Sequence, residues 1–355
     1  MESKPFTIIN SVAPIRICDI GGWTDTWFAE HGQVFNIGVY PYAEVQITVY
    51  KRDEVEDGII INAENYGQQY VVDPEVHSSE HGWLRHPLIE ASIEIMRLPK
   101  DLAYEVNIYS EAPAGASTGT SAAVSVALIG GLDTLTPGRM TPHQVALTAQ
   151  KVETELLGGQ CGIQDQLSAA YGGINYIEMY HYPYASVSQI HIPNETWWEL
   201  ERRLVLIYLG KSHSSSEVHE MVIHSLEDAG PDSAHLIALR ETAPLARDAV
   251  YKGDFTALGM SMIQNTEAQG RLHPALISED AQKVIDIAQQ YGVVGWKLNG
   301  AGGEGGSLTL LCGEHSEIKR AMIRTIEAEN PLYKHIPTYL SRFGIRIWTQ
   351  NRLSC

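Results

Sequence analysis

Cysteine is scarce: Cys18, Cys161, Cys312 and Cys355 are the only four in 355 residues, and no two form a CxxC pair. Such usage excludes a disulfide framework or a cysteine-built zinc site and suits a reducing compartment. Cations are scarce too, with 25 Lys and Arg against 43 Asp and Glu, a formal charge of −18. That balance argues against nucleic acid and anionic membranes, whose binding draws on surplus Lys and Arg. Long apolar runs are missing, so no membrane helix of about 18 residues is expected. The opening MESKPFTIIN has no basic stretch leading into an apolar core and does not read as a signal peptide. The expectation is a cytoplasmic globular chain, a monomer or homodimer, long enough for two domains.

Glycine, by contrast, is gathered into three places. The first is "NIYSEAPAGASTGTSAAVSVALIGG", residues 107–131, where an alternating run meets a small-residue loop and then an apolar helix. Gly115-Ala116-Ser117-Thr118-Gly119 spells G-x-S-x-G, but a nucleophile elbow puts its serine directly between strand and helix. Here Pro113 and further loop residues intervene, which weakens a serine hydrolase. A loop that merely packs closely is the plain alternative. A phosphate cradle fits better. Gly115 and Gly119 let the backbone approach a ligand, and the helix that follows points free N–H groups and its positive end at an anion. Thr120 and Ser121 add hydroxyls, one of which could ligate Mg²⁺. The loop is not a Walker A sequence, and HRD and DFG triplets are absent.

The second cluster, "GWKLNGAGGEGGSLTLL" (295–311), lies between two apparent strands and reads equally as a backbone nest or as a wide turn. The third, "APIRICDIGGWTDT" (13–26), sets Arg16, Asp19 and Asp25 beside Gly21-Gly22. Such a set can line a sugar or alcohol site; Asp19 is expected to be a surface acid at a capped turn. "KVETELLGGQCGIQDQLSAAYGG" places Glu153 on one helix and Asp165 at the start of the next. Phosphoryl transfer needs oxygen ligands for Mg²⁺ and a group to take the proton of the attacking hydroxyl. A helix cap at Asp165 and a solvated Glu153 pairing with Lys151 are equally compatible with the spacing.

Elsewhere, strands are expected in the first 50 residues, in a hairpin around "ENYG" and at "LAYEVNIYS". Helices are expected at 119–132, 142–157, 164–171, 216–229, 232–251, 253–268 and 278–291. Strands and helices mix without steady βαβ alternation, which predicts α+β, with a boundary near 195 dividing residues 1–195 from 196–355. His77, His81 and His86 crowd one polar loop and are read as surface. His219-Glu220 and His224 are spaced one residue too far apart for HExxH, since i and i+5 lie on different helix faces.

Together, "PIRICDIGGWTDT", "PAGASTGTSAA", "CGIQDQLSAAYGG" and "KLNGAGGEGG" resemble, in order, the motifs of the GHMP kinases (galactokinase, homoserine kinase, mevalonate kinase, phosphomevalonate kinase). "GGWTDT" is similar to the L-fucose kinase branch, and "YLGKSHSSSEV" to that branch and the D-glycero-D-manno-heptose 7-phosphate kinases. The resemblance implies a ribosomal-protein-S5-like ATP-binding domain followed by a C-terminal α/β-sandwich domain. It also implies ATP and Mg²⁺ as cofactors and a sugar or sugar phosphate as partner. Carried over by position, Asp165 is the catalytic aspartate and Arg16 lies near the transferred phosphate. Ser121 and Glu153 hold the metal. Pro113, Gly115, Ala116, Ser117, Thr118, Gly119, Thr120 and Ser121 surround the nucleotide. Trp23, Asp25, Gly172, Gly302, Lys211 and His213 face the acceptor. Ser117, Thr118 and Glu304 depart from the usual Gly, Leu and Gly, and a carboxylate at Glu304 would repel phosphate unless it points outward. The implied activity is phosphorylation of a neutral sugar at its anomeric hydroxyl. Heptose 7-phosphate is the runner-up, and a non-catalytic sugar or nucleotide sensor is the non-enzyme alternative.

Overall fold

A computed structural model describes residues 5–56, 58–72, 82–211 and 216–350, with no side chains given for 216–218. Among the described residues, nine strands form the first sheet. Its main path runs β13 (Arg346–Gln350), β1 (Thr7–Ile20), β2 (Gly32–Lys51), β5 (Leu102–Ser110), β3 (Ile59–Ala63), β4 (Gln68–Val72). β6 (Ile174–His181) and β12 (Tyr339–Leu340) also pair with β2, and β7 (Tyr184–Gln189) pairs with β6. Every pairing is antiparallel except β3 with β5. The ladder of β1 on β2 slips between Ile17 and Ile20, and Cys18 there takes φ 56°. Such a bulge re-aims the side chains beside it.

Four helices cover this sheet: α1 (Pro87–Ile95), α2 (Thr120–Asp133), α3 (Pro142–Lys151) and α4 (Gln164–Tyr171). α2 and α4 pack on β1 and β2. α2 carries glycine and alanine where it meets the sheet, so a Cβ on Gly131 would lie 3.0 Å from Ile47. α3 starts with a capping box: Thr141 accepts from the Gln144 N–H, and the Gln144 side chain answers the Thr141 N–H. The α-helix expected over 142–157 stops at Lys151 and widens into a π-turn, Val152–Leu156, which carries Glu153. π-turns cluster at functional sites.

After α5 (Asn194–Arg203) comes a second sheet, ordered β11 (Lys334–Ile336), β8 (Leu204–Tyr208), β10 (Ser307–Leu311), β9 (Gly295–Leu298). β8 is apolar at successive positions because both faces are covered. Leu204 and Leu206 join the core of the first sheet, while Val205 and Ile207 join a second core with Ile285 and Met322. The helices here are α6 (Ser216–Ala229), α7 (Ala234–Arg240), α8 (Thr242–Lys252), α9 (Phe255–Gly270), α10 (Glu279–Gln290) and α11 (Ser316–Glu329). The single helix expected over 232–251 is split into α7 and α8 at Glu241. Pro244 lacks the N–H that would bond the Arg240 carbonyl, so the helix cannot run through. A third core joins Trp23 and Phe28 to Val222, Leu226, Leu236 and Leu239. No helix among the described residues is long and apolar enough to cross a membrane.

Candidate active site

Two cavities adjoin, and both are lined by Arg16, Ser121, Asp165, His219, Gly300 and Ala301. The larger, about 530 Å³, runs along the loop from Ala114 to Ser121 and ends against Tyr66, His86, Leu88, Ile108 and Val124. The smaller, about 240 Å³, reaches into the acids and aromatic residues of the β1–β2 connection and the start of α4.

The wall of the larger cavity follows from local geometry. Gly115, Ser117 and Gly119 have φ of 75°, 56° and 69°, so the loop coils back on itself before α2. Gly119 is the N-cap of α2, and no side chain caps that helix, which leaves its first N–H groups for an anion. A Cβ on Gly119 would sit 3.2 Å from the Asp165 carboxyl. Pro113 closes a turn by accepting from the Ala116 N–H and does not line the cavity. Thr118 is buried; its hydroxyl meets that of Thr120 at 3.2 Å and its carbonyl accepts from the Arg16 N–H at 2.9 Å. Ser117 packs against Gly300 and Gly306 in the loop beyond the Pro113–Ala116 turn, so it does not sit directly between strand and helix as a hydrolase elbow requires. At the far end, Asn65 bridges both backbone groups of Ser110, at 2.7 and 2.8 Å, and Glu90 gathers the N–H groups of Leu84, Arg85 and His86. His86, expected as surface in its polar loop, is half-buried and lines this end of the cavity; the other residues carried no expectation, because no motif marks a wall built from a turn, a loop and a distant strand.

Arg16 is buried at the junction. Its Nε and Nη2 donate to the two carboxylate oxygens of Asp165 at 2.8 and 3.1 Å, and its Nη1 donates to the Ser117 carbonyl. Burial opposes its charge, but Asp165 and Asp19 overcome that and raise its pKa. Asp165 keeps part of its surface and faces both cavities.

Asp25 lies in the smaller cavity and accepts from the Gln164 N–H at the start of α4, at 3.0 Å. Burial pushes its carboxyl up to about 6, against that hydrogen bond. Trp23 is 9% exposed, has φ 74°, and sets its ring edge-on to His219, centroids 5.7 Å apart. Glu153 and Ser121 line the same cavity. Burial pushes the Glu153 carboxyl up to about 7, while Gln166 Nε2 donates to it at 2.7 Å. Among the described residues it has no cationic partner, and Lys151 is not paired with it. A partly buried acid of this kind, beside a helix-start hydroxyl and an anion cradle, suits Mg²⁺, which takes one or two protein oxygens and completes its shell with phosphate and water. No group of three His, Cys, Asp or Glu side chains converges among the described residues, so a dedicated all-protein cage is not built.

Three expected acceptor contacts lie elsewhere. Lys211 is half exposed and pairs with Asp280 at 3.1 Å, outside both cavities. Gly172 ends α4 against the Phe343 backbone, and a Cβ there would come within 2.2 Å of it. Gly302 is buried behind Ala301, its carbonyl 3.0 Å from His219 Nε2. His213 lies outside the described residues, as do His77 and His81. Glu304 is exposed, and its charge acts on Lys211. Asp19 reverses the expectation of a surface acid: it is 1% exposed and accepts from the Gly300 N–H. The bulge in β1 turned it inward, and a bulge has no signature in "RICDIGG".

Residues 88–173 match the family described as GHMP kinases N terminal domain. The chain is 26% identical over 305 residues to the D-glycero-alpha-D-manno-heptose 7-phosphate kinase of Campylobacter jejuni, across 84% of this chain and 87% of that one. It is 25% identical over 312 residues to the bifunctional fucokinase/GDP-fucose pyrophosphorylase of Arabidopsis thaliana, across 84% of this chain but only 29% of that protein. In fold it is similar to the galactokinase of Lactococcus lactis complexed with galactose, with a TM-score of 0.70, 18% identity, and coverage of 96% of this chain and 95% of that one. Residues 88–173 thus carry a GHMP kinase N-terminal domain, and the chain is similar to sugar kinases of that fold over most of its length.

Proposed function

We propose that the protein is an ATP-dependent sugar kinase that moves the γ-phosphoryl group of Mg·ATP to a hydroxyl of a neutral sugar, the anomeric one. One observation carries this reading: a nucleotide-sized cavity and a smaller polar one share a wall at Arg16, Asp165 and Ser121. Phosphoryl transfer asks mainly for positioning and charge stabilisation at such a junction. Residues 1–195 supply the nucleotide cradle; residues 196–355 lay the Gly300 loop over it, with β12 and β13 tying that part back to the first sheet.

In this reading the triphosphate lies along residues 115–121, against the uncapped N–H groups of α2. The adenine end meets Tyr66, Leu88 and Val124. Ser121 and Glu153 would hold Mg²⁺, which would supply charge neutralisation for the phosphates of the nucleotide. Asp25 accepts hydrogen bonds from sugar hydroxyls, and Trp23 walls the ring. Asp165 takes the proton of the attacking hydroxyl as its oxygen bonds to the γ-phosphorus. The bond to the β–γ bridging oxygen breaks and ADP leaves. Arg16 keeps the Asp165 carboxylate aimed at that proton and places positive charge beside the transferred group.

A heptose 7-phosphate is the second reading, favoured by the similarity to the Campylobacter kinase. Charge tells against it. The smaller cavity is lined by Asp19, Asp25, Glu153 and Asp165, and its one Arg or Lys among the described residues, Arg16, is already engaged. A phosphate in that pocket would need compensating cations. ADP release with Mg·ATP over a panel of neutral sugars and their phosphates tests the proposal. Turnover confined to sugar phosphates would replace it with the second reading, and no turnover with any sugar would leave the sensor.

A further inference from the structure

Lys297, which opens the stretch KLNGAGGEGG, is 1% exposed and one of the largest wholly buried side chains. It lies on β9, three residues before Gly300. Its ammonium is 3.7 Å from Asp19 Oδ1, donates to Gln269 Oε1 at 3.0 Å, and donates to the Leu298 carbonyl. Asp19 in turn accepts from the Gly300 N–H at 2.9 and 3.1 Å. Gln269 Nε2, on α9, donates to the Gly300 carbonyl at 2.9 Å. The contacts close a ring: Gly300 N–H, Asp19, Lys297, Gln269, Gly300 C=O. Both backbone groups of one glycine are therefore fixed by side chains that a single ammonium holds in place.

That glycine is where the second sheet touches the nucleotide loop. A Cβ on Gly300 would lie 2.9 Å from Ser117 Cβ, and a few residues on, Ser307 Oγ donates to the Ala116 carbonyl at 2.6 Å. The ring also reaches the catalytic pair, since Asp19 Oδ1 is 3.8 Å from Arg16 Nη1. We propose that Lys297 is a positioning residue that clamps the Gly300 loop onto the nucleotide cradle and, by giving Asp19 a cation of its own, leaves Arg16 to Asp165. The inference rests on the kinase reading above. Its physical basis is that the two carboxylates flank one guanidinium. With Lys297 in place, Asp19 has its own cation and Arg16 is left to Asp165. Without Lys297, the buried Asp19 has only Arg16 to turn to, because a buried charge left unpaired is strongly unfavourable.

Two variants separate clamping from mere stability. Gln269→Leu cuts the neutral half of the ring and leaves the ion pair; Lys297→Met cuts both halves. Binding of the fluorescent analogue trinitrophenyl-ATP, which needs no acceptor, is measured beside sugar-dependent ADP release, on protein shown to be folded by its melting curve. Gln269→Leu is expected to weaken analogue binding and raise KM for ATP by about tenfold, the equivalent of one hydrogen-bonded anchor, while kcat changes little. Lys297→Met is expected to raise KM similarly and also to lower kcat, because Arg16 is drawn off Asp165. The double variant is expected to match Lys297→Met alone, since residues acting in one network are not additive. Analogue affinity and KM within about twofold of wild type in both single variants, or effects that multiply in the double variant, would overturn the clamp. Should Lys297→Met fail to fold, Gln269→Leu decides alone. A wild type that binds the analogue but phosphorylates no sugar sinks the acceptor reading; the clamp then stands or falls on the variants' analogue affinities.

Discussion

Arg16 and Asp165, 149 positions apart in the chain, meet as a two-pronged ion pair, with nitrogen–oxygen distances of 2.8 and 3.1 Å. A planar guanidinium matches both oxygens of a carboxylate, which a point-charge ammonium cannot do. The pair fixes which way the carboxylate faces at the wall between the two cavities. Asp165→Asn removes the proposed proton acceptor and is expected to lower kcat by about 10² to 10⁴, with little effect on nucleotide binding. Arg16→Lys keeps the charge but loses the fork and the link to the Ser117 carbonyl, so kcat falls by about tenfold or more while the fold survives. Steady-state ADP release reads both. An Asp165→Asn enzyme as fast as wild type would remove Asp165 from the chemistry.

Glu153 has a partly buried carboxyl pushed up to about 7 by burial and one hydrogen-bond donor, Gln166. Glu153→Gln keeps the shape and removes the charge a divalent ion would need. Activity is expected to require Mg²⁺ and to vanish with a chelator. The variant should need roughly tenfold more Mg²⁺ for half-maximal rate, as loss of one charged oxygen ligand implies. Mg²⁺ titrations at saturating nucleotide decide it, and an unchanged midpoint would place the metal elsewhere.

How much of this was legible beforehand depends on what each residue needed. The helix over 164–171 could be read because Gly172-Gly173 stops it, and α3 because Thr141-Pro142 caps it. Asp165 and Arg16 could be singled out from motif spacing, yet their contact could not, since strand β1 and helix α4 meet only in the folded sheet. The inward turn of Asp19 depends on a bulge that no residue pattern marks, and the pairing of Lys297 depends on partners from α9 and β1, far away in the chain. Lys211 was drawn in by sequence proximity to "SHSSS", but Asp280 holds it outside.

Asp25 couples function to a stability cost. Its carboxyl rises from 3.8 to about 6 in the fold, chiefly through burial, so the protonated form is the one the fold favours. The unfolded chain ionises first as pH rises, so stability is lost between about 4 and 6 and stays low above that. At 1.36 kcal/mol per pKa unit the full cost is about 3 kcal/mol, an upper figure. Asp25→Asn is expected to raise the melting temperature at pH 8, with the gain shrinking as pH falls toward 4. The same change should weaken sugar binding, seen as a higher KM for the acceptor with KM for ATP unchanged. Melting curves at pH 8 and pH 5 test the sign, and a variant less stable at pH 8 than at pH 5, relative to wild type, would contradict it.

Acceptor charge is the sharpest discriminator for the site. The smaller cavity presents Asp19, Asp25, Glu153 and Asp165 against one engaged arginine, and its aromatic wall of Trp23, Trp27 and Phe28 has no charge to offer. A dianionic phosphate there meets like charge, which costs several kcal/mol, so kcat/KM for a neutral sugar should exceed that for its phosphate by about 10² or more. Gln160 lines the cavity and is exposed, so Gln160→Arg adds a cation without disturbing the core. That variant is expected to narrow the preference by about tenfold, with most of the change in KM for the phosphorylated sugar. Competition assays with paired sugars and sugar phosphates measure the ratio directly. A wild type that prefers the phosphate would overturn the neutral-sugar reading and leave the acids lining the pocket to serve the metal and the hydroxyls alone.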